Sequence, residues 1–368
     1  MKIAHIVSTF PPRIGGMGQV CFEEAKRLAK LGNEVTVFTP QFKNSQYDFD
    51  CNFKIVYLKS LLTSANGAWL PQLKNKLKDF DIIHLHFPFY VSAHYVVKTL
   101  KNDNQKFVVT YHMDSQVSGW QGFVKKVYDK FFTKEIFNRA DRVITLDKEH
   151  LQHAKFNDWV DSGKTVEIFN GVDTEVFAPN EETEKLNKII LFVGNLLPFK
   201  RFDLLLKAVS RLDDEEVEIM VVGGGYEIDK HKQLAKELGL EDRVLFRGYN
   251  TDRAELAKIY SQVNCLAVTS DSGESFSLAA IEALSCGCLV VASDIPGVRG
   301  RIEESKNGWL FKPGDVNDLS EKLKKSLSLN EETKKEMSKR CRQIAVEKYD
   351  WDKHMQKLIS VYKDISSL

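Results

Sequence analysis

Apolar residues along this chain follow two alternating patterns. Short β-branched runs ("KIAHIV", "EVTVFTP", "DIIHLHF", "KFVVTYH", "DRVITLD") are bounded by turn residues and read as strands. Between them lie longer amphipathic stretches, such as "GQVCFEEAKRLAKLG", which stops at Gly32 as a helix does. This alternation predicts a parallel sheet with helices on both faces. "VEIFNGVDTEVFAPNEETEKLN" then breaks the rhythm, being polar and turn-rich, with Asn170-Gly171 and Pro179. The alternation restarts with "KIILFVG", "RFDLLLKAVSRL", "VEIMVVGGG", "EIDKHKQLAKELGL", "RVLFRGY", "RAELAKIYSQV", "CLAVTS", "SLAAIEALSCG" and "LVVAS".

The restart predicts an α/β protein of two Rossmann-like, doubly wound domains. We place an N-terminal domain at 1–170, a connection at 171–186 and a C-terminal domain at 187–349. A last helix, about 350–368, is expected to pack back on the first domain. Ligands of such sheets bind beyond the C-terminal strand ends, so the two domains are expected to face each other across a cleft.

Composition agrees with two globular domains: 368 residues, 43% hydrophobic and 28% charged. A net charge of +1 does not call for nucleic acid. Residues 1–170 nonetheless hold 23 Lys+Arg against 17 Asp+Glu, a surplus of six that leaves about −5 for the rest. The first half is therefore expected to meet something anionic. Six scattered cysteines without a CxxC pair support neither zinc nor redox chemistry. With no signal-peptide pattern at the start and no apolar run of membrane-spanning length, the expected location is the cytoplasm.

The stretch "SGESFSLAAIEALSCGCLVVAS", Ser272 to Ser293, raises the chemical question. Glu282 stands among apolar neighbours, and Glu274 lies eight residues before it. A carboxylate in such surroundings costs several kcal/mol, on the order of 3–5, unless it is paired. Either Glu282 reaches solvent or both carboxylates face a ligand. A helix beginning near Phe276–Leu278, including Ser277 and just after Ser275, would point free N–H groups at the acceptor atoms of an anionic ligand. Lys200 and Arg201, in a loop after a strand, suit a charge clamp for an anionic ligand. Gly15 and Gly16 lie between a strand and a helix, where a backbone can approach a ligand closely. His112 ends the run "KFVVTYH", at the end of a strand where active sites collect. His84 and His86 share a strand face, and without a third ligand at useful spacing no metal site is predicted. Gly223-Gly224-Gly225 reads as a tight turn, Asp48-Phe49-Asp50 as a chance match to a metal-binding pattern, and Cys286-Gly287-Cys288 as helix-end packing.

Several of these segments together resemble a retaining glycosyltransferase of the GT-B fold, family 4. They are "ESFSLAAIE", "VGNLLPFKRFDLLLKA", "MVVGGGYE", "DRVLFRGY", "NGWLFKPGD", "FNGVD", "PPRIGGMGQ", "DIIHLHF" and "VVTYHMD". The resemblance covers almost the whole chain. It implies that Glu282 holds the ribose hydroxyls of a nucleotide-sugar, Glu274 a hydroxyl of the donor sugar, and that His112 contacts that sugar. A vicinal diol offering two donors to one carboxylate fits the role of Glu282. The base is expected near Arg247, Gly248 and Tyr249. Asn195 stands where the family has a phosphate-binding arginine, and Arg201 is the candidate to replace it. The implied reaction is front-face transfer, with no metal and no other cofactor required; the nucleotide-sugar is a substrate.

The acceptor is expected to be a glycan or a lipid-linked glycan, as in polysaccharide, lipopolysaccharide or glycolipid synthesis. "QGFVKKVYDKFFTKEIF", Gln121 to Phe137, puts Phe123, Val127, Phe131, Val124, Tyr128 and Phe132 on one broad helical face. Lys125, Lys126, Lys130 and Lys134 gather on the other, and Trp120 precedes the run. Such a segment can lie on an anionic membrane surface, which would make the enzyme peripheral on the cytoplasmic face; a core-facing helix is the alternative. Two further readings stay open: a transferase acting on a soluble small-molecule acceptor, and a nucleotide-sugar-binding protein without transfer activity, motivated by Asn195.

Overall fold

A computed structural model describes residues 1–13, 15–42, 51–60, 62–64, 66–100, 105–114, 119–180, 186 and 188–367. Asp48-Phe49-Asp50 and residues 181–185 of the connection lie outside the described residues. The chain divides into two compact units. One comprises Met1–Asn170 with Asp352–Leu368, the other Gly171–Trp351.

The strands of the first unit are β1 (Lys2–Ile6), β2 (Glu34–Pro40), β3 (Lys54–Leu58), the short pair β4 (Thr63–Ser64) and β5 (Gly67–Ala68), β6 (Ile82–Phe87), β7 (Lys106–Tyr111), β8 (Arg142–Thr145) and β9 (Thr165–Glu167). Seven of them form a parallel sheet in the order β3-β2-β1-β6-β7-β8-β9. Both faces are covered, which is why its strands read as near-continuous apolar runs. Ala4, Ile6, Ile83, Leu85, Phe107 and Val109 build one core. Ile3, Val7, Ile82 and Val108 face the other way. They meet Met17, Cys21, Ala25 and Leu28 of the helix Gly16–Lys30, and Met355, Leu358 and Tyr362 of the final helix, Trp351–Ser366. Each fully buried side chain of this kind contributes about 1.5–3 kcal/mol, which anchors the last helix on the first unit.

The second unit holds β10 (Ile189–Val193), β11 (Glu218–Val222), β12 (Val244–Gly248), β13 (Cys265–Val268), β14 (Leu289–Ser293) and β15 (Gly308–Phe311). They form a parallel sheet in the order β12-β11-β10-β13-β14-β15. Chain order reverses between β1 and β6 in the first sheet, and between β10 and β13 in the second. These switch points are where doubly wound folds open a crevice for ligands.

Residues 171–180 belong to the packed body of the second unit. Phe177 is fully buried, and its carbonyl accepts from Arg342 Nη1 at 2.8 Å and from Ser285 Oγ. Arg342 Nη2 also donates to the Thr174 carbonyl at 2.8 Å. A polar sequence hides this packing because one distant arginine satisfies the carbonyls.

The basic amphipathic segment departs from a single face. Helix Gly119–Tyr128 passes through a π-helical turn, Asp129–Thr133, into helix Lys134–Arg139. The wide turn adds a residue and rotates the helix beyond it. Tyr128 is buried and Phe132 half-buried, while Phe123, Val127 and Phe131 are exposed beside Trp120. Lys125 is not on the solvated side. It is buried and donates to Asp129 Oδ2 at 2.6 Å, whereas Lys126, Lys130 and Lys134 stay exposed.

Candidate active site

In the second unit the switch-point loops bring the predicted residues together. The loop after β10 carries Asn195, Lys200 and Arg201; the loop after β13 carries Glu274 to Ser277 and leads into helix Leu278–Ser285. Two bonds tie the loops: Thr269 Oγ1 donates to the Lys200 carbonyl at 2.7 Å, and the Asp271 N–H to the Phe199 carbonyl at 3.0 Å. Lys200 Nζ is thereby held against Glu274, to whose Oε2 it donates. Ser270 Oγ donates to the same oxygen at 3.0 Å. Burial alone would raise the Glu274 carboxyl, but Lys200 outweighs it, aided by hydrogen bonds from Ser270 and the Ser277 backbone, and the group sits below the usual carboxylate range. The site thus holds an ionised acceptor next to a fixed cation.

Two non-glycine residues here adopt left-handed backbone, Arg201 at φ 49° and Ser277 at φ 58°. Each such residue costs on the order of 1–3 kcal/mol, and this kind of strain gathers at functional sites. Ser277 precedes helix Leu278–Ser285 without giving it a side-chain cap, so that helix start keeps backbone donors for an acceptor. Leu278 opens the helix, and the side chains of Phe276 and Ser277 are buried. Phe276 lies under the Arg301 guanidinium, 4.0 Å from its ring centre, so the ring serves packing. Ser275 adjoins the backbone of Gly297, where a Cβ would overlap the Glu274 carbonyl; glycine there permits the approach.

Arg201 spends three donors on carboxylates: Nε and Nη2 on Asp203 at 3.0 and 3.3 Å, and Nη1 on Asp271 at 3.0 Å. In this arrangement it braces the loop. Asn195 Oδ1 accepts from the exposed Tyr249 hydroxyl at 3.0 Å, next to Gly248. Gly223 explains the glycine triplet, since a Cβ there would overlap the Gly194 carbonyl. The triplet is thus more than a turn: it lets the end of β11 seat the Asn195 loop.

Glu282 is half-buried and accepts from the Tyr260 hydroxyl at 3.2 Å. Burial pushes its carboxyl up to about 7, against the pull of Arg253 and the Tyr260 hydrogen bond. Tyr260, Ser270, Thr269, Asp271 and Gly297 had no signal in the sequence; Thr269 and Asp271 act through contacts set by the pairing of β10 with β13, and Ser270 within its own loop.

In the first unit, Gly15 and Gly16 stand at the start of helix Gly16–Lys30. His112 lies just past β7, its N–H donating to the Phe87 carbonyl at 2.9 Å. It is buried, and burial brings its imidazole down to about 4, with Glu24 pulling it up and His354 down. Beside it lie His5, Glu24, His84 and His86, each with one ligand-type atom within 4.8 Å of the others. Sequence spacing around His84 and His86 could not show His5 and Glu24 arriving from β1 and the first helix. His84 is held by hydroxyls, Tyr362 at 2.6 Å and Thr110 at 2.7 Å. Glu24 Oε1 lies 3.0 Å from His354 Nε2. Burial works against the Glu24 carboxyl, yet the His354 hydrogen bond keeps it low.

Among the described residues no helix is long and apolar enough to cross a membrane. Known proteins supply a second line of argument. A family description for glycosyl transferases group 1 matches residues 173–348, and one for glycosyltransferase family 4 matches residues 14–176. N-acetyl-alpha-D-glucosaminyl L-malate synthase from Bacillus anthracis is 24% identical, over 99% of this chain and 98% of that protein. Sucrose-phosphate synthase from Thermosynechococcus elongatus superimposes with a TM-score of 0.84 at 22% identity, over 100% of this chain and 99% of that one. Anabaena Alr3699/HepE, solved in complex with UDP-glucose, gives 0.82 at 18% identity, over 100% of both chains. With two parallel switch-point sheets and both family matches in chain order, the protein belongs to the group 1 glycosyltransferases of the GT-B fold and is a hexosyltransferase-type enzyme.

Proposed function

We propose that the protein moves a sugar from a nucleotide-sugar to an acceptor hydroxyl with retention of anomeric configuration. The observation that carries this is the Lys200–Glu274 pair beneath an uncapped helix start, with Glu282 on that same helix. Lys200 and the helix N–H groups stabilise the leaving diphosphate. Glu274, ionised, accepts from a sugar hydroxyl, and His112 donates to the sugar. Glu282 accepts from both ribose hydroxyls. The bond from the anomeric carbon to the diphosphate oxygen breaks and the acceptor oxygen bonds on the same face. The acceptor's proton passes to the departing phosphate oxygen. A uridine nucleotide is the first donor to try, because Alr3699/HepE was solved with UDP-glucose.

For the acceptor we favour a lipid-linked or envelope glycan at an anionic membrane surface, reached from the cytoplasm. Trp120, Phe123 and Phe131 are 76, 59 and 63% exposed, with Lys126, Lys130 and Lys134 on the same segment. The name of the malate synthase relative favours a second reading, a small-molecule acceptor. The donor test is a thermal-shift screen of UDP-, GDP-, ADP- and CMP-sugars. A ligand at 100 times its Kd stabilises by about 2.7 kcal/mol, and a panel with no shift would sink the reading.

A further inference from the structure

Three histidines form a line across three neighbouring strands. His86 Nδ1 lies 2.8 Å from His112 Nε2, and His86 Nε2 lies 2.9 Å from His5 Nδ1. Ring planes differ by 23° and 27°, with centroids 5.1 and 5.2 Å apart. Those separations exceed the N···N distances by about one ring width, so the rings meet edge to edge, as hydrogen-bonded imidazoles do. At the far end, His5 Nε2 is buried and has no hydrogen-bond partner among the described residues.

We propose that His5 and His86 are positioning residues that set the tautomer of His112, holding its one proton on Nδ1 and leaving Nε2 as an acceptor. A neutral imidazole carries one N–H and one bare nitrogen. The two contacts can therefore run in only two directions. If His112 Nε2–H donates to His86, then His86 donates to His5, and His5 must carry its hydrogen on the buried Nε2, with nothing to accept it. If His5 Nδ1–H donates to His86, then His86 Nδ1–H donates to His112, and the orphan is a bare nitrogen. Genuinely orphaned buried N–H groups are rarer than under-satisfied acceptors, which favours the second direction. Burial keeps all three rings neutral at pH 7, with Glu24 opposing this at His5 and His112. Glu24 Oε2 does not choose between the directions, because it lies 3.8 Å from both His5 Nδ1 and His86 Nε2. The ladder accounts for three of the four histidines on a sheet face that also carries Ile3, Val7, Ile82 and Val108; the fourth, His84, is held by hydroxyls. Its consequence for turnover rests on His112 contacting the donor; the tautomer does not.

The test is 15N NMR of histidine-labelled full-length protein without donor, with the His112 signals assigned from their loss in His112→Gln. We expect a protonated Nδ1 and a bare Nε2 at His112. His86→Asn, whose amide can still donate, should keep that pattern and turnover. His86→Phe should raise the Nε2–H population and lower kcat more than it raises KM. A wild-type His112 carrying its proton on Nε2 overturns the proposal, and that spectrum decides alone if His86→Phe does not fold. A stoichiometric transition metal retained by protein purified without chelator also overturns it, since a cation on His5, Glu24, His84 and His86 would then set the tautomer. If His112→Gln keeps full turnover while the spectrum is as expected, the donor contact fails and the ladder stands.

Discussion

The Glu282 carboxyl makes donor binding depend on pH in a way that can be worked out in advance. Burial places it at about 7, so near neutrality it is half protonated. The ribose diol offers two O–H donors and needs the ionised form as acceptor. Donor binding therefore favours ionisation, and affinity should fall as pH drops through 7. With binding confined to the ionised form, Kd scales as one plus the ratio of protonated to ionised carboxyl. Between pH 8 and pH 6 that factor rises about tenfold, or about 1.4 kcal/mol. His112, held down at about 4, and Glu274, below the usual carboxylate range, do not titrate in this window. The assay is isothermal titration with a nucleotide-sugar, whose diphosphate has no ionisation there. Buffers of different ionisation heat should also report release of nearly one proton at pH 6 and almost none at pH 8. Glu282→Gln should bind about 1–3 kcal/mol more weakly at pH 8 and show no pH dependence. A wild-type Kd that is flat from pH 6 to 8, or a slope that survives in Glu282→Gln, refutes the reasoning.

Lys200→Ala should lower kcat by about 10²–10³-fold; adding Glu274→Gln should restore some of the stability lost by leaving that carboxylate unpaired, read from denaturant midpoints. Asn195→Arg would give the donor phosphate a charge-assisted partner and tighten donor binding by about tenfold; weaker binding in titration would show that Tyr249 needs Asn195 as its acceptor. Gly15 has an extended φ of 174° and nothing closer than 3.9 Å to an added Cβ, so Gly15→Ala should unfold at the wild-type midpoint while losing turnover; full turnover would remove Gly15 from the site. Replacing Lys126, Lys130 and Lys134 with Gln removes about 1 kcal/mol each of attraction to an anionic surface; the variant should leave anionic liposomes on sedimentation, and a wild type that never sediments with them at low salt excludes the membrane reading.

The sheets are legible in the sequence because strand and helix periods differ and both domains repeat the same alternation. Lys200, Glu274 and Glu282 are legible because charged residues in loops or in apolar runs need a reason to be there. The groups that serve them are not. Thr269 reaches the Lys200 carbonyl across 69 residues because β13 lies beside β10, and Tyr260 reaches Glu282 across 22 because helix Arg253–Gln262 packs against helix Leu278–Ser285. Glu24 and His354 are 330 residues apart and meet only because the last helix returns to the first unit. A regular helical count puts Lys125 on the solvated face; its burial goes with the pair it makes to Asp129, itself buried one turn on, which the count does not show.

Transfer from a nucleotide-sugar with retention fixes the anomer that forms first. The enzyme should be given an α-linked nucleotide-sugar that stabilises it in the thermal screen and followed by 1H NMR from the first minutes, with transfer to acceptor or to water as the readout. The enzyme should release the nucleoside diphosphate with the α-anomeric signal appearing before mutarotation, and Lys200→Ala should lose that signal. A β-anomeric signal appearing first would contradict retention.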